Sequence, residues 1–150
     1  MKTKQLAKFE FPAQTHASPV LADALGLQRW VTAQEALKDL EDESALAALP
    51  NHEYSKAKPT RGQGNKPIKP NAPSPTIRAE HHGNVEFHYS LPRRLSVREC
   101  ARLQSFPDDF VFKAPMTSAY RLVGNAVPPV LAWHLARAVA AFLSSAKGAF

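Results

Sequence analysis

The sequence predicts an α+β fold for this chain of 150 residues: a small, irregular, strand-containing domain around one well-bounded helix, followed by a C-terminal amphipathic helix. Three observations carry the prediction. Ser96 with Glu99 three residues later is a capping box, in which each side chain bonds the other residue's backbone amide; Pro107 then stops the helix before Phe106. The stretch from residue 50 to residue 90 is rich in proline and in short alternating runs, which excludes a long helix there. Val127, Val130, Leu131, Leu135, Ala138, Val139 and Phe142 form one apolar stripe at helical spacing over the last segment, about Pro128 to Ser144.

Taken in order, residues 1–19 read as an extended lead-in. Within it Lys8-Phe9-Glu10-Phe11 alternates polar and apolar like a short strand ended by Pro12. Val20–Leu27 and Thr32–Leu49 read as helices. Thr32 and Glu35 supply a second capping box, with Ala36, Leu37 and Leu40 following at helical spacing. The acidic turn Glu41-Asp42-Glu43 is expected to face solvent, and Pro50 closes the segment. Six prolines lie between residues 50 and 76, and a loop of that length in a small domain is usually functional or disordered. Thr76-Ile77-Arg78 and Val85–Tyr89 flank His82-Gly83-Asn84 in the pattern of a hairpin. Leu95 and Cys100 stand at the two positions of a hydrophobic staple across the Ser96 cap. After Pro107 the sequence predicts a polar linker and a Gly124-Asn125 turn. Pro128-Pro129 suits the first turn of the last helix, where a missing amide hydrogen costs nothing. Trp133 lies off the apolar stripe, alongside Arg137.

The formal net charge is +6, unevenly distributed. Residues 1–50 carry five bases and seven acids, whereas Lys56, Lys58, Arg61, Lys66, Lys69 and Arg78 fall in a stretch with no acid. Such a stretch suits a polyanion, since each phosphate contact releases counterions; it equally suits a solvated basic linker. No run approaches the roughly 18 apolar residues of a membrane span, so no membrane association is expected. The first residues lack the apolar core of a signal peptide. A single cysteine excludes an internal disulfide framework and suits a reducing compartment. A soluble, cytoplasmic protein without a bound metal is expected.

Two longer strings are more specific. RRLSVRECARLQSFPDDF, from Arg93 to Phe110, resembles the ninth conserved block of the DNA (cytosine-5) methyltransferases. YRLVGNAVPPVLAWHLA, from Tyr120 to Ala136, resembles their tenth and last block, in the family's order and with a plausible gap. FPAQTHAS and WVTAQEALKDL are similar to the segment that follows the eighth block, and PSPTIRAEHHGN to the threonine–aliphatic step of the variable target-recognition region.

The resemblance implies roles for particular residues. Arg94, Ser96, Arg98 and Glu99, with Arg102, would be scaffold; their capping and helix-face chemistry agrees. Gly124, Asn125, Ala126 and Val127 would edge the S-adenosyl-L-methionine pocket, with Gly124 permitting tight backbone and Asn125 offering donor and acceptor. Taken alone, Asn125 reads as a helix N-cap, and a cap residue can also line a pocket. Thr76 would contact a phosphate, with Arg78 beside it. Arg61-Gly62-Gln63-Gly64-Asn65-Lys66 resembles a glycine-flanked glutamine loop of some members. There Gln63 would fill the gap left by the extruded cytosine, and Lys66 would read a guanine edge. The other reading of that loop is a flexible linker without contacts.

Methyl transfer to carbon 5 requires a thiolate to attack carbon 6. The family supplies it from a Pro-Cys step, supported by a Glu-Asn pair and an Arg-x-Arg block, and none of these occurs here. Cys100 follows Glu99 in the scaffold helix and reads as a small buried hydrophobe. The expectation is therefore the C-terminal part or a subunit of such an enzyme. Residues 1–112 would be the target-recognition domain, and residues 113–150 the tenth-block segment with a helix that completes a partner's Rossmann-like α/β domain. Its partners would be double-stranded DNA and a catalytic subunit bearing the Pro-Cys nucleophile, with S-adenosyl-L-methionine shared between the chains. A natural prokaryotic, nucleoid-associated subunit and a truncated gene product would look the same. A non-enzymatic DNA-binding module or inactive remnant is the alternative.

Overall fold

The structure is a computed structural model and describes residues 8–58, 66–79 and 85–147. The chain divides into two compact units: Trp30–Ala126, and a second that combines the chain up to Arg29 with the chain from Val127 onward.

In the larger unit, Thr32 and Glu35 close the expected capping box at the start of α2 (Ala33–Leu37). The single helix expected over Thr32–Leu49 is broken, however. A 3-10 turn (Lys38–Glu41) follows α2, and α3 (Glu43–Ala47) starts anew. Asp42 is the cause: its carboxylate accepts from the Ser44 amide at 2.9 Å and caps α3, so the side chain competes with helix continuation. Asp42 and Glu43 of the acidic turn are exposed as expected, while Glu41 is half-buried and accepts the Tyr89 hydroxyl.

The scaffold helix α4 (Val97–Leu103) is buried along most of its length. Its first amides, which no helix can satisfy internally, all have acceptors. Val97 donates to the Glu53 carbonyl at 3.0 Å and Arg98 to that of Asn51 at 2.8 Å. The Ser96–Glu99 box closes reciprocally: Glu99 N to Ser96 Oγ at 3.1 Å, Ser96 N to Glu99 Oε2 at 2.6 Å. Leu95 and Cys100, the staple pair, are both fully buried in the main core with Leu37, Ile68, Val97, Phe112, Tyr120 and Val123. Full burial of such side chains contributes roughly 1.5–3 kcal/mol each before ordering costs.

Further expectations fail in this unit. Val85–Tyr89 does not pair with Thr76–Arg78; Phe87 instead bridges Pro67 in parallel and Arg94 antiparallel. The expected turn at His82-Gly83-Asn84 lies outside the described residues. The polar linker is also absent: α5 (Met116–Asn125) occupies its place and buries Ala119, Tyr120 and Val123. Gly124 and Asn125 are the last two residues of that helix, not a turn.

In the smaller unit, β1 (His16–Ala17) pairs in parallel with β2 (Gln28–Arg29) across α1 (Pro19–Leu25). Gly26 ends α1 at φ 65°, a left-handed cap that glycine adopts without a side-chain penalty. No strand forms at Lys8–Phe11; Phe9 instead meets Phe11 and Phe142 edge-on, with ring centroids 5.1 and 5.9 Å apart. The last helix, α6 (Pro129–Lys147), leaves Val130, Leu131, Trp133, Val139 and Leu143 exposed. Arg137 lies over the Trp133 ring at 4.6 Å. The stretch Met116–Ser145 is long and apolar enough, by length and composition, to cross a membrane. Its apolar residues are interrupted by polar ones, so the expectation that no stretch qualifies, which rests on unbroken apolar runs, is corrected. That stretch is two helices, with a break between Asn125 and Pro129.

Candidate functional site

Four arginines radiate from α4 and the turn before it, each binding a different piece of chain. Arg93 donates to both oxygens of Glu99, Nη1 to Oε2 at 2.8 Å and Nη2 to Oε1 at 3.1 Å. Arg94 donates to the carbonyls of Ala57 at 3.0 Å, Lys58 at 3.4 Å and Val85, and its guanidinium stacks on Phe87. Arg98 binds the carbonyls of Pro50 and Pro107, both at 2.9 Å, and of Phe110 at 2.5 Å. Arg102 forks onto Asp108 at 2.8 and 2.6 Å and reaches Asp39 at 2.6 Å. Planar guanidinium donors suit such multidentate work. The hydrogen bond from Arg102 holds Asp108 and Asp39 below the usual carboxylate range.

His88 packs against this hub, fully buried. Its Nδ1 accepts from the amides of Ser90 at 3.2 Å and Leu91 at 3.3 Å, so the proton sits on Nε2, 3.6 Å from Glu99 Oε1. Burial depresses the imidazole pKa and keeps the ring neutral, overriding the pull of Glu99. Tyr120 on α5 ties in from the other side, donating to the Leu95 carbonyl at 2.7 Å and accepting from the Ser55 amide at 3.2 Å.

The hub positions the candidate DNA-facing residues. The backbone of Lys66 accepts from Phe87 N at 3.1 Å and donates to Glu86 Oε2 at 3.4 Å, leaving its side chain exposed. Glu86 Oε1 lies 3.8 Å from Arg78 Nη2, so one carboxylate holds the Lys66 backbone and faces the Arg78 guanidinium. Thr76 is exposed two residues before Arg78. Arg61 and Gln63 lie outside the described residues.

The candidate pocket edge sits on α5. Asn125 is exposed and, with Ser118, Arg121 and Leu122, lines a shallow depression of about 200 Å³. It is not the N-cap of α6, since three residues separate it from Pro129. Ala126 donates to the Val123 carbonyl at 3.2 Å, and Val127 begins the other unit, 58% exposed. Gly124 does not need unusual dihedrals, because it is helical and its φ is not positive. Its requirement is steric: a Cβ there would lie 2.4 Å from Ala79 N and from Arg78 C.

Cys100, the single cysteine, is fully buried, and burial pushes its thiol far above the ordinary value. A thiolate nucleophile needs the opposite environment. The sequence pointed to Arg94, Ser96, Arg98, Glu99 and Arg102 but not to Arg93, Glu86 or Tyr120. The Arg93-Arg94 doublet before the capping box was the available signal for the first; Glu86 and Tyr120 depend on long-range contacts.

Comparison with known proteins follows the same lines. The family model described as C-5 cytosine-specific DNA methylase matches residues 2–141. Type II methyltransferase M.MthTI of Methanothermobacter thermautotrophicus is 31% identical over 170 residues, covering 88% of this chain and 46% of that protein. Type II methyltransferase M1.HphI of Haemophilus parahaemolyticus is 44% identical over 82 residues, 55% of this chain and 22% of its own length. DNA (cytosine-5)-methyltransferase 2 of Arabidopsis thaliana is 43% identical over 75 residues, 50% of this chain and 5% of that protein. In each case the matched region spans less than half of the relative.

Proposed function

This chain belongs to the C-5 cytosine-specific DNA methylase family, and from that premise we propose that it is the C-terminal part or a subunit of such an enzyme, supplying duplex recognition and one edge of the methyl-donor pocket, while the nucleophile comes from a catalytic part outside these residues. The observation that carries the reading is Cys100: the one sulfhydryl present is sealed in the core of α4 with its thiol proton held tightly.

S-adenosyl-L-methionine fits this chain as an edge and not as a whole site. The depression beside Asn125 is smaller than the roughly 300–1,000 Å³ that encloses a drug-sized ligand. Asn125, Ala126 and Val127 would hold the cofactor's border. When bound, the cofactor supplies the methyl group. Asn125 offers an amide that both donates and accepts, and Leu122 an apolar wall. Thr76, Arg78 and Lys66 would grip the duplex, with counterion release by the two bases giving much of the affinity; Gln63 would fill the gap left by the extruded base, with Arg61 beside it on the duplex. The apolar residues left exposed on α6 would be covered by the α/β domain of the catalytic chain. The reading places the protein in the cytoplasm with the DNA it modifies, within a type II restriction–modification setting.

The test is reconstitution with tritiated cofactor. Mixed with a chain carrying the Pro-Cys, Glu-Asn and Arg-x-Arg blocks, this chain should restore labelling of duplex DNA; alone it should label none. Failure to restore activity, together with tight salt-sensitive duplex binding by the isolated chain, favours the non-enzymatic DNA-binding module instead.

A further inference from the structure

The C-terminal turn of α5 and the Thr76–Ala79 segment approach more closely than two side-chain-bearing backbones can. A Cβ on Gly124 would fall 2.4 Å from Ala79 N, 2.4 Å from Arg78 C and 2.5 Å from the Arg78 carbonyl oxygen. All three are backbone atoms, so no rotamer change relieves the clash. The helix that delivers Gly124 is fixed from behind by Ala119, Tyr120 and Val123 in the core, and by Gln104 Nε2 donating to the Val123 carbonyl at 2.8 Å. On its other side the segment is tethered through Arg78 to Glu86. Asn125 follows Gly124 directly and faces the depression.

We infer that Gly124 is a positioning residue: it seats the Thr76–Ala79 segment on the last turn of α5, so that the duplex-gripping step is set in register with Asn125. The inference rests on the functional reading above for what the segment grips, and on geometry alone for the seating. A glycine inside a helix is ordinarily a weakness, and alanine at an open helical site stabilises. Here the contact predicts the reverse sign.

Three measurements test it. In the unmodified chain, nuclear Overhauser contacts between the Gly124 α-protons and the Ala79 amide are expected; their absence overturns the seating without any variant having to fold. Gly124→Ala should lower the melting temperature and raise hydrogen exchange in the peptide spanning residues 73–79, while Asn125→Ala leaves that exchange unchanged. A higher melting temperature with unaltered exchange overturns the proposal. In the reconstituted two-chain assembly, Gly124→Ala and Thr76→Ala should each weaken duplex binding and combine non-additively, as coupled sites do. Additive losses overturn the positioning role. Failure of reconstitution itself counts against the two-chain reading and leaves the first two measurements to decide the seating.

Discussion

Arg93 clasps Glu99 through two parallel hydrogen bonds inside the core, with the guanidinium side chain 6% exposed and the carboxylate not at all. Glu99 also completes the capping box through the Ser96 amide, so one carboxylate starts a helix and neutralises a buried cation.

Removing one partner of such a pair strands the other charge. Arg93→Ala is expected to cost about 3–5 kcal/mol, read by urea unfolding. Arg93→Ala with Glu99→Ala should lose less than the sum of the two single variants, because the second change removes the uncompensated charge.

His88 gives the fold a pH dependence of definite sign. Its folded pKa lies below the ordinary value because of burial, so on acidification the unfolded chain takes up the proton first. Stability is therefore fully present above about pH 6.5 and declines as pH falls below it. Denaturant melts between pH 5 and 7.5 should show that decline in the native sequence and a flatter profile in His88→Gln.

Arg98 donates to the carbonyls of Pro50, Pro107 and Phe110, of which Pro107 also accepts from Phe110 N at 3.2 Å. Arg98→Lys keeps the charge but not the fork, and Arg98→Ala keeps neither. Thermal melts should rank them native, then lysine, then alanine, with the alanine loss at least about 3 kcal/mol.

Cys100 should resist thiol reagents in the folded chain and react at the ordinary rate once unfolded, measured by absorbance with a colorimetric disulfide reagent. Cys100→Ala should leave methylation by the reconstituted assembly intact. Lost methylation with native stability would contradict the proposed source of the nucleophile.

Signals confined to a few neighbouring residues were the readable part. Both capping boxes close as their S/T-x-x-E spacing implies, since a cap needs only its own four residues. The α5 helix was not legible: Met116–Asn125 mixes small, polar and apolar residues with a penultimate glycine, and packing of Ala119, Tyr120 and Val123 makes it helical. Asp42 broke the predicted long helix by a local alternative that periodicity does not weigh. Phe87 chose Pro67 and Arg94 over Thr76–Arg78 because pairing across a loop depends on tertiary context. In the sequence Gly124 signals only backbone freedom, whereas its constraint in the fold is a neighbour 45 residues away in sequence, at Ala79.

Arg94 grips the carbonyl of Lys58, and the backbone of Lys66 is tied to Phe87 and Glu86. Lys58 and Lys66 are thus both held, by backbone groups, to residues packed against α4. α4 and the turn before it therefore anchor chain on both sides of residues 59–65.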